Sequence, residues 1–266
     1  MIDPSPASEA AWIARYADLD AKTVFVSGGA TGIGASIVAA FAGQGSRVLF
    51  CDLNEAAGTA LVERLAGTGA HRPVFRLCDV TDTEALQAVI DEAQALDGRL
   101  DVVVNNAAND QRHDPETVGT AFWEWCANVN LRHQYFAAQR GFHWMKAQGQ
   151  GSIINFGSVA PRLGQAELSV YGAMKTAVTG MTRTLARAFG THGVRVNAIV
   201  PGAILTPRQR DHWISPADEA RIRGQQHLDR RLVGDDIAPT ALFLGSDASN
   251  AITSQSLTVD AGMTEG

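Results

Sequence analysis

Lys22-Thr-Val-Phe-Val-Ser27 runs directly into Gly28-Gly29-Ala30-Thr31-Gly32-Ile33-Gly34, and the join between them decides the fold. The first six residues are short, apolar and rich in β-branched side chains, the pattern of a buried strand. A helical pattern follows from Ser36 to Phe41. Strand, glycine turn and helix in that order open a βαβ unit. Glycines at such a turn let a pyrophosphate approach backbone N–H groups and the N-terminus of the helix. The spacing is Gly-x3-Gly-x-Gly rather than G-x-G-x-x-G, so the common dinucleotide fingerprint is not met. A glycine-rich turn after a first strand is also often only a turn.

The same alternation continues along the chain. Val48–Cys51, Val74–Leu77, Leu100–Asn105, Ser152–Phe156, Val194–Val200 and Ser256–Val259 read as further strands. Between them, Asn54 caps a helix over Glu55–Leu65, and Thr81 caps one running through Leu96, with Glu84 at the capping-box position. A long helical stretch covers 118–148, another Leu168–Phe189, and a last one Asp235–Leu244. Strands alternating with helices give a parallel sheet covered on both faces. The expectation is one α/β domain: a doubly wound, Rossmann-like parallel sheet of about seven strands over 21–266. Residues 1–20 form an N-terminal extension with a short helix through Ala10–Tyr16. Ligands in such a fold lie beyond the carboxyl ends of the strands.

Composition narrows the class of partner. The 266 residues are 45% hydrophobic and 19% charged, with a formal net charge of −6 and no block of like charge. Nucleic acid is therefore not expected as a partner. Neither a signal peptide nor a membrane span is expected, because apolar runs such as Val102-Val-Val104 are short. Cys51, Cys78 and Cys126 show no C-x-x-C spacing and read as small buried hydrophobes. The expectation is a soluble, reduced, cytoplasmic protein.

Several residues carry possible chemistry. Asp52 ends the second strand eighteen residues after Gly34, where a carboxylate accepts from adenosine ribose hydroxyls. It would repel a 2′-phosphate, and Leu53 and Asn54 bring no cation, so NAD is favoured over NADP. A strand-end aspartate holding a turn is the alternative. Ser158 lies at a strand end thirteen residues before Tyr171, able to hold a reacting oxygen or simply to form a turn. Asn130 falls mid-helix, where asparagine is a poor helix former. It would bend the helix, hold a water or face solvent. Tyr171 and Lys175 are four apart, so on a helix they share a face. A phenol titrates near pH 10, and a close cation lowers that value. The pair is thus suited to removing a proton from an alcohol, although the same spacing is common for an aromatic beside a solvated lysine. His113, His133 and His143 lack zinc spacing, and no G-x-S-x-G elbow occurs, so neither a catalytic metal nor a serine hydrolase is expected.

Taken together, these residues resemble the short-chain dehydrogenase/reductase family from Lys22 to Gly262. Ser27–Gly34 is similar to its TGxxxGIG turn, with Ser27 for Thr. Asn105-Asn106-Ala107-Ala108 is similar to its NNAG motif, with Ala108 for Gly. Asn130, Ser158, Tyr171 and Lys175 match its catalytic tetrad in order and spacing, and Pro201-Gly202-x3-Thr206 matches the segment against the nicotinamide amide. The resemblance implies NAD on Gly28, Thr31, Gly32, Ile33, Gly34, Asp52, Leu53, Asp79, Val80, Asn105, Ala107, Pro201, Gly202, Ile204 and Thr206. It gives Lys175 a second role on the nicotinamide ribose, has Asn130 support a proton-relaying water, and implies a homotetramer.

A narrower resemblance is to bacterial aldose 1-dehydrogenases of the D-xylose dehydrogenase type. It rests on Asn105–His113, Asn130–His133, Ile154–Ser158 and Thr206–Gln209. Those enzymes oxidise the anomeric hydroxyl of a free sugar to a lactone. Asn109, Asp110, Arg112, Gln165 and Gln209, with Ser158 and Tyr171, would then surround a polyol with fixed donors and acceptors. Another alcohol of the same enzyme class, such as a 3-oxoacyl thioester, and a nucleotide-sensing protein without chemistry are the rivals. The polar segment 205–231 reads either as a substrate lid closed by Trp213 and Leu228 or as a solvated helix pair.

Overall fold

The computed structural model describes residues 14–212 and 215–264. Seven strands form one sheet: β1 Thr23–Ser27, β2 Arg47–Asp52, β3 Val74–Leu77, β4 Val102–Asn105, β5 Gly151–Phe156, β6 Val194–Pro201 and β7 Ser256–Val259. Their order is β3-β2-β1-β4-β5-β6-β7, with every neighbouring pair parallel. The order reverses between β1 and β4, which opens the crevice where a doubly wound sheet binds its ligand. β1 and β4 are buried at every residue, as strands covered on both faces must be.

Two apolar layers sandwich the sheet. One packs Val24, Val26 and Phe50 against Phe41 of α1 (Gly32–Gly43) and Leu242 of α9 (Gly234–Gly245). The other packs Phe25, Leu49 and Val103 against Ile90 of α3 (Thr83–Ala95) and Ala137 of α5 (His133–Gln148). Burying side chains of this size contributes roughly 1.5–3 kcal/mol each. Leu19, inside the expected N-terminal extension, is itself fully buried in the first layer. Tyr16 is tied by its backbone N–H to the Gln44 side chain.

Local boundaries differ from expectation in physically clear ways. Asn54 caps α2 (Glu55–Arg64) as expected, accepting from the Ala57 N–H. The cap of α3 is Asp82, not Thr81: its carboxylate accepts from Ala85 N–H, while the Thr81 hydroxyl bonds back to Asp79. A carboxylate one position nearer the helix is the better acceptor for the free N–H groups. The part of the expected Ala10–Tyr16 helix that is described, Ala14–Tyr16, is not helical; a single 3-10 turn follows at Ala17–Leu19.

The expected helix over 118–148 is divided. α4 (Thr120–Ala127) and α5 are joined by one turn of π-helix at Asn128–Arg132. α6 (Ser169–Phe189) carries Tyr171 and Lys175. The segment 205–231 contains α7 (Pro207–His212) and α8 (Pro216–Gln225), the latter closed by a Ser215–Asp218 capping box. Among the described residues, no helix is long and apolar enough to cross a membrane.

Candidate active site

A groove of about 1220 Å³ lies over the carboxyl ends of the strands and unites most of the singled-out residues. One half is made by the turn after β1. Gly28 adopts φ +66°, and an added Cβ would come within 2.7 Å of the Ala107 Cα. A Cβ on Gly34 would run into the Gly28 carbonyl oxygen. The turn is therefore as narrow as backbone permits, and Thr31, Gly32 and Ile33 sit on the groove wall beside it. Such a cradle fits the pyrophosphate of a dinucleotide.

Asp52 holds this turn in place. One carboxylate oxygen accepts from Ala30 N–H at 3.0 Å and the other from Asn54 N–H at 3.0 Å. Each oxygen keeps a further lone pair, and the residue lines the groove with Leu53. The two alternatives read from sequence, turn holder and hydroxyl acceptor, are thus compatible. Val80, Ala107, Pro201, Gly202, Ile204 and Thr206 also reach the groove.

Two expected cofactor residues do not line it. Asn105 is fully buried behind the wall, its amide donating to the Gln134 carbonyl and Asn155 Oδ1. The side chain of a strand end that points into the sheet layer cannot also point out of it. Its neighbour Asn106 does line the groove, donating to the carbonyls of Ser27 and Gly28. Asp79 is engaged with the backbone and hydroxyl of Thr81 and shapes the turn, while Cys78 and Val80 on either side face the groove.

The other half surrounds Tyr171. Ser158, at the end of β5, hydrogen-bonds the phenol and favours its ionised form. The side chain of Tyr171 is partly buried, and desolvation, then the negative charge of Asp110, raise its pKa well above the ordinary phenol value. Burial brings Lys175 down to about 7. The expectation that the lysine lowers the tyrosine is thus not met by this pair alone. Lys175 Nζ donates to the Phe156 carbonyl at 2.9 Å and lies 5.6 Å from the ring centroid, while desolvation dominates at the phenol.

Asn130 sits in the π-turn and is fully buried. Its Oδ1 accepts from Asn109 N–H at 2.9 Å, and its Nδ2 donates to the carbonyls of Asn109 and Cys126 at 3.0 Å each. It therefore clamps the loop after β4 rather than facing solvent. The wide turn explains why a poor helix former is accepted there: π-turns recur at functional positions.

The expected substrate residues Asn109, Asp110, Arg112, Gln165 and Gln209 all line the groove. Arg112 pairs with Glu167 at 3.6 Å. Asp110 accepts from Gln209 Nε2 at 2.6 Å. The sequence reading missed Arg208, which binds both Asn109 and Asp110, and Asp218, Arg221, Ile222 and Gln225 of α8. Adjacency to Gln209 was the signal for Arg208; for α8 only the capping-box spacing Ser215-x-x-Asp218 marked a helix. Trp213 lies outside the described residues, and Leu228 is 60% exposed, so it does not close the groove apolar side down.

The chain is similar in sequence and fold to known proteins. A family model described as enoyl-(acyl carrier protein) reductase matches residues 28–264. The chain is 42% identical to a D-xylose 1-dehydrogenase of Caulobacter vibrioides, over 94% of this chain and 98% of that one. It is 38% identical to an L-fucose dehydrogenase of Mus musculus, over 89% and 85%. The solved structure of a 7α-hydroxysteroid dehydrogenase, complexed with NADH and 7-oxo glycochenodeoxycholic acid, superposes with a TM-score of 0.88 at 30% identity, covering 93% of this chain and 96% of that one. The chain belongs to the short-chain dehydrogenase/reductase family of oxidoreductases.

Proposed function

We propose that the protein is an NAD-dependent aldose 1-dehydrogenase, oxidising the anomeric hydroxyl of a free sugar to a lactone. The observation that carries this reading is the composition of the groove. A glycine cradle, the Tyr171–Ser158 pair and the polar side chains of Asn109, Asp110, Arg112, Gln165 and Gln209 line one groove. A polyol matches such a surface; a fatty acyl chain or steroid would bury these polar groups against apolar atoms with no hydrogen bond gained. The relatives named for D-xylose and L-fucose support the sugar class.

When bound, NAD⁺ accepts the hydride of the oxidised carbon and brings a cationic ring to the groove. The chain's own residues do the rest. Gly28, Gly32 and Gly34 admit the pyrophosphate, and Asp52 offers its free lone pairs to the adenosine ribose. Ser158 orients the reacting oxygen beside Tyr171, whose phenolate form, favoured by the Ser158 hydrogen bond, takes the C1 hydroxyl proton and becomes the phenol. Lys175, held by the Phe156 carbonyl, supplies positive charge next to the Tyr171 ring and would hold the cofactor ribose. Asn130 acts by fixing the Asn109 backbone through two hydrogen bonds, so the loop bearing Asp110 stays in register with Tyr171.

The reading extends to a substrate lid at 205–231, to a homotetramer and to the cytoplasm. α8 contributes four groove-lining residues, in keeping with a lid. Trp123 of α4 and Tyr135 of α5 are 48% and 41% exposed and offer apolar area for assembly. Three free, buried thiols suit a reducing compartment. The decisive experiment is NADH absorbance across a panel of aldoses with NAD⁺ and NADP⁺. We expect turnover of a subset of aldoses and a preference for NAD⁺. Absence of reduced cofactor with every aldose would end the sugar assignment.

A further inference from the structure

The groove holds one connection that neither catalysis nor cofactor binding requires. Three side-chain contacts join the loop after β4 to α7 across 99 residues. Arg208 Nη2 donates to Asn109 Oδ1 at 2.8 Å, Arg208 Nε lies 3.5 Å from Asp110 Oδ1, and Gln209 Nε2 donates to Asp110 Oδ2 at 2.6 Å. Both oxygens of one carboxylate are thus engaged from α7. We propose that Asp110, Arg208 and Gln209 form a latch that holds α7 against the loop after β4 and sets the Arg208 guanidinium beside a carboxylate whose charge acts on Tyr171, so that closure eases loss of the phenol proton and readies the phenolate to accept the substrate's. This rests on the dehydrogenase reading and adds to it a set of positioning residues.

The two sides of the latch differ in how firmly they are held. On the loop side, Asn130 grips both the N–H and the carbonyl of Asn109 from a fully buried position. Asp110 is 17% exposed as a side chain. On the α7 side, Arg208 is 46% exposed, and the helix is anchored at its start by the Thr206 hydroxyl accepting from Gln209 N–H. The loop is the fixed post and α7 is the part able to leave.

The electrostatic consequence has a definite sign. The charge on Asp110 disfavours a phenolate at Tyr171 and favours an ammonium at Lys175. With the latch shut, the Arg208 guanidinium offsets part of that charge; with it open, more of the charge acts on Tyr171 and loss of the phenol proton is harder. The other titratable groups around Tyr171 are Lys175 on its own helix, Cys126 on α4, His113, whose ring meets the Ser169 hydroxyl and the Val170 N–H, and His133 of α5, which feels the Lys175 charge. The Arg112–Glu167 pair, Asp218 and Arg221 also line the groove.

Three variants test the latch: Asp110→Asn, which is isosteric, Arg208→Gln, and Arg208→Lys as the charge-keeping control. The rising alkaline limb of kcat/KM for aldose oxidation is followed against pH. Asp110→Asn is expected to move the limb down, and Arg208→Gln to move it up, each by about half a pH unit, with Arg208→Lys returning it toward wild type. Both neutralising variants raise KM and speed amide exchange in α7 of the ligand-free protein. Shifts in the same direction, or none, overturn the coupling, since a merely structural latch would move both limbs alike. Unchanged exchange in α7 overturns the latch itself. If the wild type turns over no aldose, the function reading fails, and the exchange measurement alone still decides the latch.

Discussion

The two halves of the groove are built on opposite principles. The cofactor half is shaped by missing atoms: Gly28 and Gly34 leave room that any side chain would fill, and Asp52 pins the turn through backbone N–H groups. The substrate half is shaped by side chains bonded to other side chains, with Asn109 and Asp110 tied to Arg208 and Gln209. Backbone geometry has essentially one solution, so the first half reads the same in any state of the protein. Side-chain pairs between a loop and a short helix have at least two, paired with each other or with a ligand. Selectivity among sugars therefore belongs to the half that can rearrange, and the shared nucleotide to the half that cannot.

The seam between the halves is where the largest effect is expected. Tyr171→Phe removes the proton acceptor and keeps the ring, so turnover should fall by about a thousandfold or more while dinucleotide affinity stays within a few-fold. Activity within tenfold of wild type would dissolve the assignment of the phenol. Next in size is Gly34→Ala in the rigid half. Its Cβ meets the Gly28 carbonyl, and dinucleotide affinity, followed by tryptophan fluorescence, should weaken by about a hundredfold. Binding as tight as wild type would mean that the turn is not the cradle.

Acid should separate the halves. His133 is fully buried, and burial followed by the Lys175 charge holds its imidazole down at about 3. The unfolded chain protonates near pH 6.5, the native one near 3, so between those values the unfolded state binds more protons and stability falls as pH falls. At pH 5 the loss is about 2 kcal/mol relative to neutral pH, and a neutral replacement such as His133→Asn should flatten the slope measured by denaturant unfolding. An unchanged slope would place the acid sensitivity elsewhere. The smallest effect expected is Asp52→Ala, about tenfold in KM for NAD⁺ with reduced discrimination against NADP⁺. A wild type that prefers NADP⁺ would contradict the role given to Asp52.

Legibility in the sequence followed the same division. The strand at Thr23–Ser27, the glycine turn, Asp52 and the Tyr171–Lys175 pair depend on near neighbours, and their spacing is enough to find them. Asn105 misled because a motif names a stretch, whereas the alternation of side chains decides which asparagine faces the groove; it is Asn106. The capping of α3 by Asp82 rather than Thr81 is a one-residue error of the kind that local competition among good caps produces. Arg208 was not visible because its partners, Asn109 and Asp110, lie far away in the chain. The electrostatics of Tyr171 were misjudged for a related reason: the field of Lys175 follows from spacing, but desolvation depends on everything that packs around the pair.

The π-turn at Asn128–Arg132 also sets a phase. A wide turn accommodates one more residue than an α-helical turn, and each residue advances an α-helix by about 100°. α5 buries Gln134, Ala137, Ala138, Gly141 and Met145 along one stripe. Gly141 is there because a Cβ would press on Val103. Deleting one residue from the turn would allow α4 and α5 to fuse into one regular helix and would rotate that stripe by about a quarter of a circle, away from β4 and β5. The irregularity that holds Asn130 against the catalytic loop is thus protected by the sheet on which α5 rests. The chain cannot straighten its helix without lifting it off its own core.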